Sequence, residues 1–106
     1  MNNQADQTKL LQTVLKPLLE DFLYWFGQAK TLLENHDIPT LDTAEQADLL
    51  ARITEAHQEV TAAQTLFTAL GAQVAVDMAV VNQWHQLVAE CWAVSLAYRR
   101  AQDSTP

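Results

Sequence analysis

Apolar residues recur along this chain at the spacing of a helix face rather than a strand. From about Asp6 to Glu34, the positions Leu11, Leu15, Leu18, Phe22, Trp25, Ala29 and Leu32 follow one another at intervals of 4, 3, 4, 3, 4 and 3. That pattern predicts a long amphipathic helix with a coiled-coil-like seam. Leu10, Val14, Leu19, Leu23, Phe26 and Leu33 widen the stripe. An arc that broad suits a helix touching two neighbours. Pro17 falls inside the pattern. Proline has no N–H to donate and its ring crowds the carbonyl one turn back. The first helix is therefore expected to kink near Pro17, or to divide there into a short and a long piece.

The run Asn35-His36-Asp37-Ile38-Pro39-Thr40 interrupts the period. A second helix is predicted from about Asp42 to Leu70. Asp42 with Glu45, and Thr43 with Gln46, have the spacing of a capping box. Its stripe is Leu49, Ile53, Ala56, Val60, Ala63, Phe67 and Leu70, and Gly71 offers a C-cap. The small Ala56 and Ala63 leave room for a neighbouring aromatic. Residues 72–82 stay open: Val74 and Val76 alternate, while Asp77 and Asn82 both suit an N-cap. From Trp84 the helical stripe is Trp84, Val88, Cys91, Ser95 and Tyr98. Between Met78 and Tyr98 the only charged residue is Glu90.

Short connections make consecutive helices antiparallel. The expected fold is all-α, an up-down-up three-helix bundle in one domain over residues 1–106, with an ordered core at about 8–102. A slender bundle has much surface for its volume, so a homo-oligomer is expected.

Composition agrees: 16 Ala, 15 Leu and 11 Gln stand against 2 Gly and 3 Pro. The net charge of -7, from 13 acids and 6 bases, argues against nucleic acid and against an anionic membrane. One cysteine allows no internal disulfide and fits a reducing compartment. The opening residues are polar, unlike a signal peptide. No apolar run approaches the ~20 residues of a transmembrane segment. A cytoplasmic protein is expected.

Three stretches carry a resemblance. Leu15-Lys16-Pro17-Leu18-Leu19-Glu20-Asp21-Phe22-Leu23-Tyr24-Trp25-Phe26 is similar to the opening of a small cyanobacterial family known only as a domain of unknown function. Gln46-Ala47-Asp48-Leu49-Leu50-Ala51-Arg52 resembles its middle. Asp77-Met78, then Trp84-His85-Gln86-Leu87-Val88-Ala89-Glu90-Cys91-Trp92, resembles its end. Gln83 stands where a proline often precedes that tryptophan. The resemblance spans about residues 10–95. It implies a soluble protein of a photosynthetic bacterium and supplies no activity, cofactor or catalytic residue.

Candidate chemistry is sparse. His85 and Cys91 are six residues apart and point away from each other on a helix. No His-x-x-x-His, Glu-x-x-His or Cys-x-x-Cys occurs, so no metal is expected. Folding the second and third segments back to back around residue 74 would bring Cys91 level with His57, and folding the first and second around residue 38 would bring Asp21 within a turn of His57. No oxyanion-stabilising element accompanies that grouping, and Cys91 reads more simply as a small core residue. Glu20, Asp21, Glu55 and Glu59 read as wet-face charges.

The expected function is therefore non-enzymatic, without a cofactor. It is a helical interaction or adaptor module that self-associates or docks on a partner protein through the charge-poor third helix. The expected contact residues are Trp84, Leu87, Trp92, Val94 and Leu96, with Leu19, Leu23 and Phe26 opposite. The alternative is a binder of a small apolar or tetrapyrrole ligand between helices, in a pocket of Trp84, His85, Cys91 and Trp92.

Overall fold

A computed structural model describes residues 3–70 and 77–103, with side chains from residue 13 onward. Three helices follow one another: α1 (Asn3–Asn35), α2 (Thr43–Leu70) and α3 (Met78–Asp103). The described residues contain no strand. The molecule is long and narrow, 64 × 23 × 20 Å.

Side-chain pairs fix the directions. Phe22 meets Trp84 and His36 meets Tyr98, so α1 and α3 run parallel. Arg52 meets Glu90 and Glu59 meets Trp84, so α2 and α3 run antiparallel. The arrangement is the expected up-down-up bundle. α1 packs against both other helices, more extensively against α2, while α2 and α3 stand further apart.

α1 starts earlier than the hydrophobic pattern alone predicts. Gln4, Ala5 and Gln7 are residue types that favour helix. Pro17 lies within this single helix, on its exposed side. The buried stripe of α1 is Leu15, Leu19, Phe22, Phe26, Ala29 and Leu33. It shares Leu15, Phe22 and Ala29 with the predicted seam. Leu18, Trp25 and Leu32 are only half-buried, flanking the core. With neighbours on two sides, the middle of the broad arc is the driest line, and the alternate heptad set wins. The predicted positions Leu10 and Leu11 lie outside the described side chains.

The turn between α1 and α2 is closed by named bonds. The Asp42 carboxylate accepts from the Glu45 N–H at 2.7 Å, and the Glu45 carboxylate accepts from the Asp42 N–H at 3.0 Å. This is the capping box expected from the sequence. Gln46 does something else. Its Oε1 accepts from the Ile38 N–H at 3.0 Å, and its Nε2 donates to the carbonyls of Leu33 at 3.0 Å and His36 at 2.7 Å. One side chain thus satisfies carbonyls left over at the end of α1 and holds the buried Ile38 in place. Pro39 occupies the second position of a turn closed by the Leu41 N–H on the Ile38 carbonyl, where its fixed φ is favourable.

The α2 stripe buries Leu49, Ile53, Ala56, Val60 and Phe67; Ala63 is half-buried and Leu70 exposed. Asp77, not Asn82, caps α3: its carboxylate accepts from the Ala79 N–H at 2.9 Å. The helix then passes through Gln83 without a break. The proposed C-cap at Gly71 and the alternation of Val74 and Val76 lie outside the described residues.

Candidate functional site: the aromatic face of α1 and α3

The lack of charge along α3 has two sources. One side of the helix is core, burying Val81, Trp84, Leu87, Val88, Cys91 and Val94. The other side is exposed and carries Asn82, Gln83, His85, Gln86, Trp92 and Leu96. This corrects the expected contact set. Leu19, Phe26, Trp84, Leu87 and Val94 are buried inside their own chain, where the broad α1 arc and α3 cover each other. Leu23 is half-buried. Only Trp92 and Leu96 of that set stand open to solvent.

The two late tryptophans have separate environments. Trp84 is 4% exposed and rests edge-on against Phe22, with ring centroids 5.6 Å apart. Its Nε1–H donates to the Glu59 carboxylate at 3.1 Å, so Glu59 is more than a wet-face charge. A groove of about 340 Å3 runs between α2 and α3 beside it, lined by Ala56, Glu55 and Gln83 among others. The Arg52 guanidinium spans this groove, bidentate on Glu90 at 2.9 and 3.0 Å and also bonded to Asp48 at 3.0 Å. The two acids hold Arg52 still more firmly in its charged form, Glu90 contributing most, against a smaller opposing effect of burial.

Trp92 is 51% exposed. Its ring meets Trp25 edge-on at 5.7 Å, and Trp25 meets Tyr24, itself 58% exposed, at 5.1 Å. Three rings thus step across α1 and α3. Leu96 lies one turn beyond Trp92 and is likewise exposed. Beside them a groove of about 250 Å3 is lined by Tyr24, Trp25, Gln28, Leu32, Tyr98 and Arg99. Arg99 is its one charged lining residue. The groove ends near Tyr98, whose hydroxyl lies 3.2 Å from His36 Nδ1. Sequence spacing alone does not single out Tyr24 or the His36–Tyr98 pair. Their signal is the parallel register of α1 and α3, which exists only once the chain is folded.

The residues expected to line a ligand pocket do not converge. Trp84 turns toward Glu59, the exposed His85 lies 5.0 Å from the Phe22 ring, and Trp92 turns toward Trp25. Cys91 is buried, and burial, with the nearby Glu90 charge second, pushes its thiol up to about 12. A thiol so held is neutral and unreactive at physiological pH. Nor does the fold set it beside His57. With Arg52 opposite Glu90 and Glu59 opposite Trp84, Cys91 stands level with Ala51, more than a turn from His57. The true register is set by these pairs rather than by folding symmetrically about residue 74. Among the described residues no three His, Cys, Asp or Glu side chains gather as a metal site. No described helix is long and apolar enough to cross a membrane.

The fold and this face define a three-helix α-protein with an aromatic strip open to solvent. The chain belongs to the family described as "Protein of unknown function (DUF2605)", which matches residues 5–100. Searches of the curated proteins and of the solved structures each return no significant match.

Proposed function

We propose that this chain is a non-enzymatic interaction module of the bacterial cytoplasm, in a cyanobacterium as the family resemblance implies. It docks an apolar-faced helix of a partner protein along the strip Tyr24, Trp25, Trp92 and Leu96. The observation that carries this reading is the exposure of Trp92 and Tyr24 in a stepped arrangement already ordered by Trp25. Rings held by one another lose little freedom on binding, and Trp and Tyr are enriched among residues that dominate interfaces. Covering them returns about 25 cal/mol per Å2 of apolar surface. Arg99 at the groove edge selects a partner with a carboxylate at that end. The buried, neutral thiol of Cys91 supports a binding rather than a catalytic role.

Affinity capture from the native host, run in parallel with wild type and Trp92→Asp, tests this. A specific protein retained by wild type and lost from the variant, with a purified partner then binding at least tenfold more weakly to the variant, is the expected result. Equal retention by both chains removes the proposal.

A further inference from the structure

We propose that the occupant of the aromatic strip is a second copy of this chain, related to the first by a two-fold axis perpendicular to the helices. The proposal rests on the docking role argued above and names the partner. Asp21, Tyr24, Trp25, Gln28 and Leu32 follow one another at helical spacing along one side of α1. Trp92, Leu96 and Arg99 do the same on α3, whereas Glu90, two residues before Trp92, faces α2 through Arg52. The strip therefore looks away from α2, the helix that carries Glu45, Asp48, Glu55 and Glu59.

Charge decides the occupant. Asp21 stands at one end of the strip and Arg99 at the other. With Phe22 beside Trp84 and His36 beside Tyr98, Arg99 lies level with Asp37, about 24 Å along the bundle from Asp21 at 1.5 Å per residue. Both side chains are exposed, and neither has an ion-pair partner among the described residues. Lys30 falls between them in height but on the other side of α1, in line with Leu23. Midway between Asp21 and Arg99 lie Gln28 and Trp92. A two-fold axis through that point turns the copies antiparallel and brings Asp21 of each onto Arg99 of the other. It also lays Tyr24 and Trp25 of one copy on Leu32 and Leu96 of the other, with the two Trp92 rings at the centre. A face with opposite charges at its two ends suits its own two-fold image, because such a contact sets each end against the opposite one. The two acidic α2 helices are left on the outside.

The face is about 24 Å long and two helices, about 20 Å, wide, so two copies bury on the order of 1,000 Å2, less than a standard interface. The dimer is accordingly weak, with a dissociation constant of about micromolar or above. Its central rings are of the types that carry most of such a contact. Sedimentation equilibrium of the full chain from about 1 μM to 1 mM is the test. Wild type is expected to show a monomer–dimer equilibrium, weakened at least tenfold by Trp92→Asp with helix content retained. Asp21→Arg and Arg99→Asp are each expected to weaken it about tenfold, because two exposed ion pairs become two repulsions. An equimolar mixture of these two variants is expected to dimerise as wild type does, since every acid again faces a base. A wild type monomeric throughout overturns the proposal, and so does a mixture that associates no more tightly than its components. The docking role fails separately: a monomeric wild type that still captures a different host protein, lost with Trp92→Asp, removes the second copy alone.

Discussion

Replacing Gln46 by Ala isolates the clamp between α1 and α2. Three hydrogen bonds disappear: from the Ile38 N–H, and to the Leu33 and His36 carbonyls. The His36 carbonyl is exposed and regains water, so its bond adds little. The other two lie in a partly buried setting, where a hydrogen bond contributes about 1 kcal/mol net. The expected loss is about 2 kcal/mol. At roughly 4–8 °C per kcal/mol for a domain this size, the melting temperature falls by about 10 °C. Urea unfolding followed by circular dichroism at 222 nm measures it. Gln46→Glu is the control. It keeps the acceptor for Ile38 but turns a carboxylate toward two carbonyls. It should be at least as destabilising as Ala at neutral pH and should recover partly in acid, where the protonated group can donate. A Gln46→Ala loss below about 0.5 kcal/mol would show that water replaces the side chain, and the clamp argument would fail.

Trp84→Ala should cost about 3–5 kcal/mol by emptying the core, and Trp92→Ala about 1 kcal/mol through one lost ring contact; equal losses in urea titrations would contradict the separate environments described. Gly27→Ala should stabilise α1 by about 0.5–1 kcal/mol, because a Cβ there meets nothing within 4 Å; thermal melts read the gain. Native Cys91 should resist a thiol reagent at pH 8 and react readily in urea. Its raised folded pKa also sets a sign. The unfolded thiol ionises from about 9 while the folded one holds its proton to about 12, so stability falls as pH rises through that window. Native titration of the thiol near 9 would refute this.

The sequence makes local features legible and leaves relational ones hidden. Asp42 and Glu45 are three residues apart and bond as their spacing predicts, because a capping box needs only its own backbone. Gln46 satisfies the end of a different helix, so nothing around it in the sequence announces the role. In α1, Leu15, Phe22 and Ala29 belong to two overlapping heptad sets, and only the placement of α2 and α3 selects Leu19 and Phe26 over Leu18 and Trp25. The same blindness moves five expected contact residues into the core. Poverty of charge in α3 reads alike whether a side is buried by the chain or by a partner, and here it is both core and open strip. Trp84 and Trp92 share a helix yet differ in fate because eight residues overshoot two turns, leaving one ring over α1 and the other at its edge.

The unequal packing about α1 sets an order of loosening. α1 and α2 share the larger contact and the Gln46 clamp, while α3 adheres mainly to α1 and reaches α2 through Arg52–Glu90 and Glu59–Trp84. Amide exchange should then be slowest in the facing turns of the first two helices and faster along the third, whose release would still leave a paired hairpin behind. A strand of partner helix lying across Trp25 and Trp92 would bridge the tight pair to the loose one, and the slowing of exchange in α3 would be the first sign of its arrival.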